Sequence, residues 1–274
     1  MQGRRRMTGR VLLIGCGNMG RAMLDRWLAN GLDPRGVTVV SPSLRAMPEG
    51  VSVVAALPAA ADAAFDIVML ALKPQQLGAL RGAAFAAYAP RLLISILAGV
   101  DLAALGTLSQ AQAVVRAMPN LPVAIGHGVV ALHGADGDDA ARQAAEAMMQ
   151  PLGLVEWIAD EAQFDAVTAL AGCGPGFVFR FADALARAGE ALGLPADQAA
   201  RLAIATLDGA GRMAGASDVS PAMLADRVAS PGGSTREGLN ILDDGDALVK
   251  LLSRTLAASA RRNAEMAEAA RTAS

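Results

Sequence analysis

Aromatic side chains are scarce: Phe, Trp and Tyr make up 3% of the 274 residues, so Ala, Leu and Val must build whatever core there is. There are two cysteines, Cys16 and Cys173, each inside a glycine-rich turn, which excludes a disulfide framework and a thiolate metal centre. Both histidines, His127 and His133, fall in one strand-like segment, GHGVVALH, where their even spacing puts them on one face. With no cysteine or carboxylate cluster beside them they make a poor metal site, and no metal is expected. Lysine is confined to Lys73 and Lys250, and arginine carries the remaining positive charge. The net charge of −2 offers no electrostatic case for nucleic acid or an anionic membrane surface. No run reaches the roughly 18 apolar residues of a membrane span. Arg4-Arg5-Arg6 lacks the long apolar stretch of an export signal and reads as a solvated tail ahead of a second start at Met7. The expected compartment is the cytoplasm.

What is abundant is aliphatic: apolar residues reach 53%, enough to bury one large core or two ordinary ones. The first half alternates. Strand-like runs at 11–14, 37–40, 51–54, 67–72, 92–97, 114–118, 128–132 and 154–158 are separated in many places by helical stretches at 21–29, 75–87, 101–108 and 138–149. This alternation predicts an α/β domain with a doubly wound, mostly parallel sheet and helices on both faces. Near-continuous apolar strands agree with burial on both sides. Beyond Ile158 the strand signals stop, and 160–171, 175–192, 196–214, 221–228 and 246–270 all read as helix. The expected division is therefore an α/β domain over 1–158 and an all-α domain over 159–274. Phe177, Val178, Phe181, Leu185 and Leu192 form an apolar stripe on one of these helices, to be buried within the bundle or against a second copy.

Five segments carry chemistry. Val11–Gly20 reads VLLIGCGNMG, a strand running into Gly15-Cys16-Gly17-Asn18-Met19-Gly20 and then a helix. That context is the dinucleotide-binding turn of a Rossmann domain, with the helix N-terminus offering N–H groups to a pyrophosphate. At the end of the second strand an NAD-preferring unit places Asp or Glu, but positions 40–48 hold no carboxylate. Ser41, Ser43 and Arg45 stand there instead, a set suited to a 2′-phosphate, so NADPH is the expected cofactor and NADH the alternative. Ala71-Leu72-Lys73-Pro74 and Ala98-Gly99 end two further strands, where ligands of open α/β sheets bind. Finally, Ser230-Pro231-Gly232-Gly233-Ser234-Thr235 sets two glycines and two hydroxyls at a helix start, a second anion cradle suited to a substrate carboxylate.

Together IGCGNMG (14–20), ALKP (71–74), SILAGV (95–100), RAMPNLP (116–122), VTALAGCGPGFVF (167–179) and SPGGSTREGL (230–239) resemble pyrroline-5-carboxylate reductase, in the family's order and across nearly the whole chain. The resemblance implies a Rossmann domain followed by an all-α dimerisation domain, a homodimer formed through it and assembly up to decamers. It implies reduction of L-1-pyrroline-5-carboxylate to L-proline, the last step of proline biosynthesis. It also implies that the Ser230 hydroxyl and the N–H groups of Gly233, Ser234 and Thr235 hold the substrate carboxylate, with Gly232 shaping the turn. Thr235 would bond the ring nitrogen as the catalytic residue, and Glu161 would lie near the substrate. The chain departs from the family's usual SGSGPAY at Ala171, Cys173, Gly176 and Phe177, and from Asn-Thr-Pro at Leu121. A hydroxyacid reductase on the same scaffold would want a lysine or histidine acid in the helical half; Lys250 lies well outside the glycine-rich motifs.

Overall fold

The computed structural model describes residues 9–60, 64–80 and 82–272; the Arg4-Arg5-Arg6 tail and Met7 lie outside them. Eight strands form one sheet: β1 (Val11–Ile14), β2 (Val37–Val40), β3 (Ser52–Val54), β4 (Ile67–Leu70), β5 (Leu92–Ser95), β6 (Ala113–Pro119), β7 (Gly128–Gly134) and β8 (Gly153–Trp157). Their spatial order is β3-β2-β1-β4-β5-β6-β7-β8. All neighbours pair in parallel except β6 and β7, which are antiparallel. The reversal follows from chain length. Only residues 120–127 join β6 to β7, too few for the helical crossover that parallel neighbours require.

Strand periodicity divides the core in two. Val11, Leu13, Met69 and Ile94 face α1 (Asn18–Ala29) and α4 (Asp139–Met149), in a layer where Trp27 is fully buried and its Nε1 donates to the Met148 carbonyl at 2.6 Å. Leu12, Val68, Leu70 and Leu93 face the other way, onto Phe85 and Tyr88. Both sets are apolar because both faces are covered. The stretch expected as one helix over 75–87 is instead a 3-10 segment, Pro74–Leu80, and a short helix α2 (Ala83–Ala86), with Gly82 at its N-cap. Glycine at 78 and 82 disfavours a continuous helix. The short α3 (Leu102–Gly106) is capped by the Asp101 side chain, which accepts from Ala104 N–H.

Residues up to Gly172, together with those from Ala260 on, form one compact unit, and Cys173–Ser259 forms another. The first compact unit thus runs past residue 158, for a physical reason. Residues 160–172 carry no strand, yet side chains fasten them to the sheet. The Arg116 Nη1 donates to Glu161 at 2.6 Å and stacks its guanidinium 4.3 Å from the centre of the Phe164 ring. Buried Asn120 donates to the Ala171 carbonyl and accepts from Val129 N–H. Local helix type changes twice here, from a 3-10 turn (Glu161–Gln163) through α5 (Phe164–Val167) to a π-helical turn (Thr168–Gly172), rather than continuing as one helix.

The second unit is all helical: α6 (Gly174–Ala191), α7 (Ala196–Gly215), α8 (Pro221–Arg227), α9 (Ser234–Asp243) and the first part of α10 (Ala247–Thr272). Gly193, at φ +100, ends α6. Small residues set the α6–α7 approach: a Cβ on Gly189 would stand 3.6 Å from the Ala199 Cβ. No residue of α6 is buried, although Phe179 is 59% and Phe181 46% exposed.

Candidate functional site

In the first unit the glycine turn is built at the point where the strand order reverses, between β1 and β4. Gly15 leaves β1 at φ +86, a region that L side chains rarely occupy, and its N–H donates to the Val40 carbonyl at 3.0 Å. A Cβ on it would lie 2.7 Å from the Ala71 oxygen and 2.9 Å from Leu72 N, so Gly15, Ala71 and Leu72 are in contact. Gly20 faces Ala71 as well, where a Cβ would come within 3.2 Å of the Ala71 Cβ. Gly17 differs: it has ordinary extended backbone, and a Cβ there would meet nothing within 4 Å. The protein's own packing does not demand glycine at 17, and the open space above it fits the close approach of a pyrophosphate. No side chain caps α1 and no acid stands in its first turn, so its first N–H groups face that space with a favourable dipole.

A groove of about 400 Å³ runs from this turn along α1, lined by Cys16, Gly17, Asn18, Arg21, Arg45 and Ala46 among others. Buried Ser41 lies at the end of β2, its hydroxyl 3.4 Å from that of exposed Ser43. Leu44, at φ +45, turns the chain so that Arg45 reaches the groove, and Arg45 makes no ion pair among the described residues. Burial pushes the Cys16 thiol up, against a smaller lowering by Arg21 and Arg45. Lys73 does not line this groove. It is exposed in the turn after β4, where its N–H donates to the Gln76 side chain. The backbone of Pro74 opens the 3-10 segment there. Ala98 and Gly99 follow β5, and Gly99, at φ +72, leaves room only for Ala267, whose Cα would sit 3.0 Å from a Cβ.

Glu161 does not stand as a free carboxylate. Its Oε1 accepts from both Arg116 and the Leu102 N–H at 2.9 Å, which makes the side chain a fastener between β6, α3 and the segment after β8. Sequence reasoning passed over Arg116; its signal was a lone charge inside an apolar strand, AVVRAMP. His127 precedes β7 and is exposed, whereas buried His133 lies within it with Nδ1 2.7 Å from the Ile158 carbonyl, so the two do not share a strand face. Among the described residues no group of His, Cys, Asp or Glu is arranged to hold a metal, and no helix is long and apolar enough to cross a membrane.

In the second unit, Ser230–Gly233 is a tight turn closed by Gly233 N–H donating to the Ser230 carbonyl at 2.9 Å. Pro231 and Gly232, the latter at φ +71, occupy the positions where a type II turn favours them. A Cβ on Gly233 would strike the Ser230 Oγ at 2.6 Å, so glycine there lets the hydroxyl lie over the turn. The Gly233 N–H, expected as a carboxylate donor, is already committed to the turn. Gly233 is also the N-cap of α9, and no side chain caps that helix, so Ser234 and Thr235 keep their N–H groups for a ligand. Ser230, Gly232, Ser234 and Thr235 are all exposed. Arg236, which sequence reasoning did not single out, holds the turn in place by donating to Asp226 at 2.7 Å and to the Ala229 carbonyl. Each unit thus presents a glycine turn at a helix N-terminus with no side-chain cap.

Comparison with known proteins agrees with this arrangement. Residues 161–266 match the family described as pyrroline-5-carboxylate reductase dimerisation, and residues 10–99 match that described as NADP oxidoreductase, coenzyme F420-dependent. The chain is 36% identical to the pyrroline-5-carboxylate reductase of Pseudomonas aeruginosa over 95% of its length and 98% of that relative's. It is 34% identical to that of Aquifex aeolicus, over 87% of this chain and 90% of the relative. The solved pyrroline-5-carboxylate reductase from Coxiella burnetii superposes with a TM-score of 0.80 at 32% identity, covering 94% of this chain and 98% of that one. With likeness of this depth over both units, the chain belongs to the pyrroline-5-carboxylate reductase family.

Proposed function

We propose that this protein reduces L-1-pyrroline-5-carboxylate to L-proline with NADPH, as a homodimer joined through its helical units. The observation that carries the reading is the Ser230–Thr235 turn. Its Gly233 leaves the Ser230 hydroxyl room to lie over the turn, and its uncapped Ser234 and Thr235 N–H groups suit a small carboxylate. The Ser230 hydroxyl and these two N–H groups bind the carboxylate, and the Thr235 hydroxyl bonds the ring nitrogen. Bound NADPH supplies a hydride to the carbon of the C=N bond. A protonated cyclic imine is already electrophilic, so the protein's task is alignment and electrostatics rather than strong acid catalysis. The few ionisable candidates agree: His133 is buried with Nδ1 at a backbone carbonyl, and Lys73 and Lys250 lie outside the turn.

Gly15–Gly20, Ala71–Pro74 and Ala98–Gly99 line the dinucleotide, and Ser41, Ser43 and Arg45 take its 2′-phosphate. The groove at Gly17 and the absence of a carboxylate over 40–48 support this assignment. For Glu161 a substrate contact rests on Oε2, since Oε1 is engaged. The dimer is supported by α6, which among the described residues leaves Val178, Phe179 and Phe181 exposed. Higher assembly to a decamer follows from the family resemblance. The test is consumption of NADPH with pyrroline-5-carboxylate, with proline identified as product and the dimer by light scattering. Turnover of NADPH without proline, or a monomer at working concentration, would contradict the two halves of the proposal separately.

A further inference from the structure

Arg21, the residue after the last glycine of the turn, is held in place by its neighbours. Its Nε donates to both carboxylate oxygens of Asp25, at 2.8 and 2.9 Å, and its Nη1 donates to the Ala46 carbonyl at 3.2 Å. A guanidinium carries five N–H donors in a planar fork. One on Nε and one on Nη1 are committed here, so the second Nη1 hydrogen and both on Nη2 are free. The side chain remains 44% exposed and lines the same groove as Cys16, Gly17, Asn18 and Arg45. The two arginines approach that space from different elements: Arg21 from α1, Arg45 from the loop after β2. Their positive charges converge on the Cys16 thiol, and Arg21 acts on it more strongly than Arg45.

We infer that Arg21 is a second specificity-determining cation, which grips the 2′-phosphate of NADPH together with Arg45. The inference rests on the reading of Ser41–Arg45 as the 2′-phosphate loop and adds a residue to it. An anion in the groove meets two guanidinium groups against the one carboxylate of Asp25, which also lines it and is engaged by Arg21, whereas a ribose 2′-hydroxyl gives neither guanidinium a charge partner. The division of labour is physical. Arg45 stands on an exposed loop and is ordered on binding, at an entropic cost. Arg21 is held beforehand by Asp25 and incurs little of that cost. Its bond to Ala46 also fixes the loop one residue beyond Arg45.

The test compares Arg21→Gln and Arg45→Gln with the unaltered protein. Dissociation constants for NADPH and NADH are measured by cofactor fluorescence, and thermal protection by adenosine 2′,5′-bisphosphate is set against that by 5′-AMP. Loss of a charge-assisted contact predicts about tenfold or greater weakening of NADPH in Arg21→Gln, with NADH held within about twofold. Protection by the bisphosphate falls toward that by 5′-AMP. Equal weakening of both dinucleotides would make Arg21 a mere support for the loop and overturn the inference. So would unchanged binding of NADPH in Arg21→Gln while Arg45→Gln loses it selectively, an outcome that leaves the loop reading standing. If neither variant separates NADPH from NADH, the loop reading fails and takes the inference with it.

Discussion

Two alanine substitutions two positions apart, Gly15→Ala and Gly17→Ala, should fail in opposite ways. At Gly15 a Cβ meets backbone, 2.7 Å from the Ala71 oxygen and 2.9 Å from its carbon and from Leu72 N. Backbone cannot swing aside as a long side chain can, and Ala71 N–H is held by the Ile14 carbonyl at 2.8 Å, which keeps β1 and β4 in register. The residue also sits at φ +86. Left-handed backbone costs an alanine about 1–2 kcal/mol, and forcing a methyl into packed structure adds about 1–3 kcal/mol. A total near 3 kcal/mol lowers the melting temperature of a unit this size by roughly 6–12 °C. Gly17→Ala meets no atom within 4 Å and no left-handed backbone, so its melting temperature stays within about 2 °C of the unaltered protein. The methyl there occupies the space through which the pyrophosphate approaches, and NADPH binding weakens at least about tenfold. Differential scanning calorimetry without ligand and fluorescence titration with NADPH separate the two effects. If Gly17→Ala binds NADPH normally, the turn is not the pyrophosphate site. If Gly15→Ala melts unchanged, the contact geometry assigned to it is wrong.

Other consequences are as direct. Thr235→Ala removes the hydroxyl assigned to the ring nitrogen and should lower kcat on the order of 10²-fold with melting unchanged; wild-type turnover would refute the assignment. Arg116→Met leaves Glu161 short of its cationic partner in a pair whose side chains are 13% and 30% exposed, and about 2 kcal/mol of stability should go, read as a fall of roughly 4–8 °C in melting temperature. An unchanged transition would show that the segment after β8 is held by other contacts. Because burial raises the Cys16 thiol, its thiolate is depleted at pH 8. Iodoacetamide should therefore label it more slowly than an unperturbed thiol, faster as pH rises, and more slowly still with NADPH present, as mass spectrometry of the two cysteines will show. Fast labelling at neutral pH would contradict the burial.

Two strands were legible residue for residue: 11–14 and 37–40 emerge as β1 and β2 because strands covered on both faces are mostly apolar. The glycine turn was equally plain, since positive φ and backbone contact leave glycine no substitute at 15. What stayed hidden was fixed by long-range contacts. The first compact unit runs on to Gly172 because Arg116, Asn120 and Glu161 bind a helical segment to the sheet, and periodicity cannot register such a bond. Nothing in the sequence set Arg21 apart, because its neighbour, the Ala46 carbonyl, lies far off along the chain. The Gly233 N–H changed role for a similar reason: the turn that shapes the cradle also uses one of its donors.

The central claim is that one cradle holds a dinucleotide and the other a small imine carboxylate for reduction. The most direct measurement is a coupled assay of NADPH consumption and proline formation with pyrroline-5-carboxylate, run on the unaltered protein and on Thr235→Ala. The account predicts one proline per NADPH and a drop on the order of 10²-fold in the variant. No proline from the unaltered protein, or equal rates from both, would contradict it.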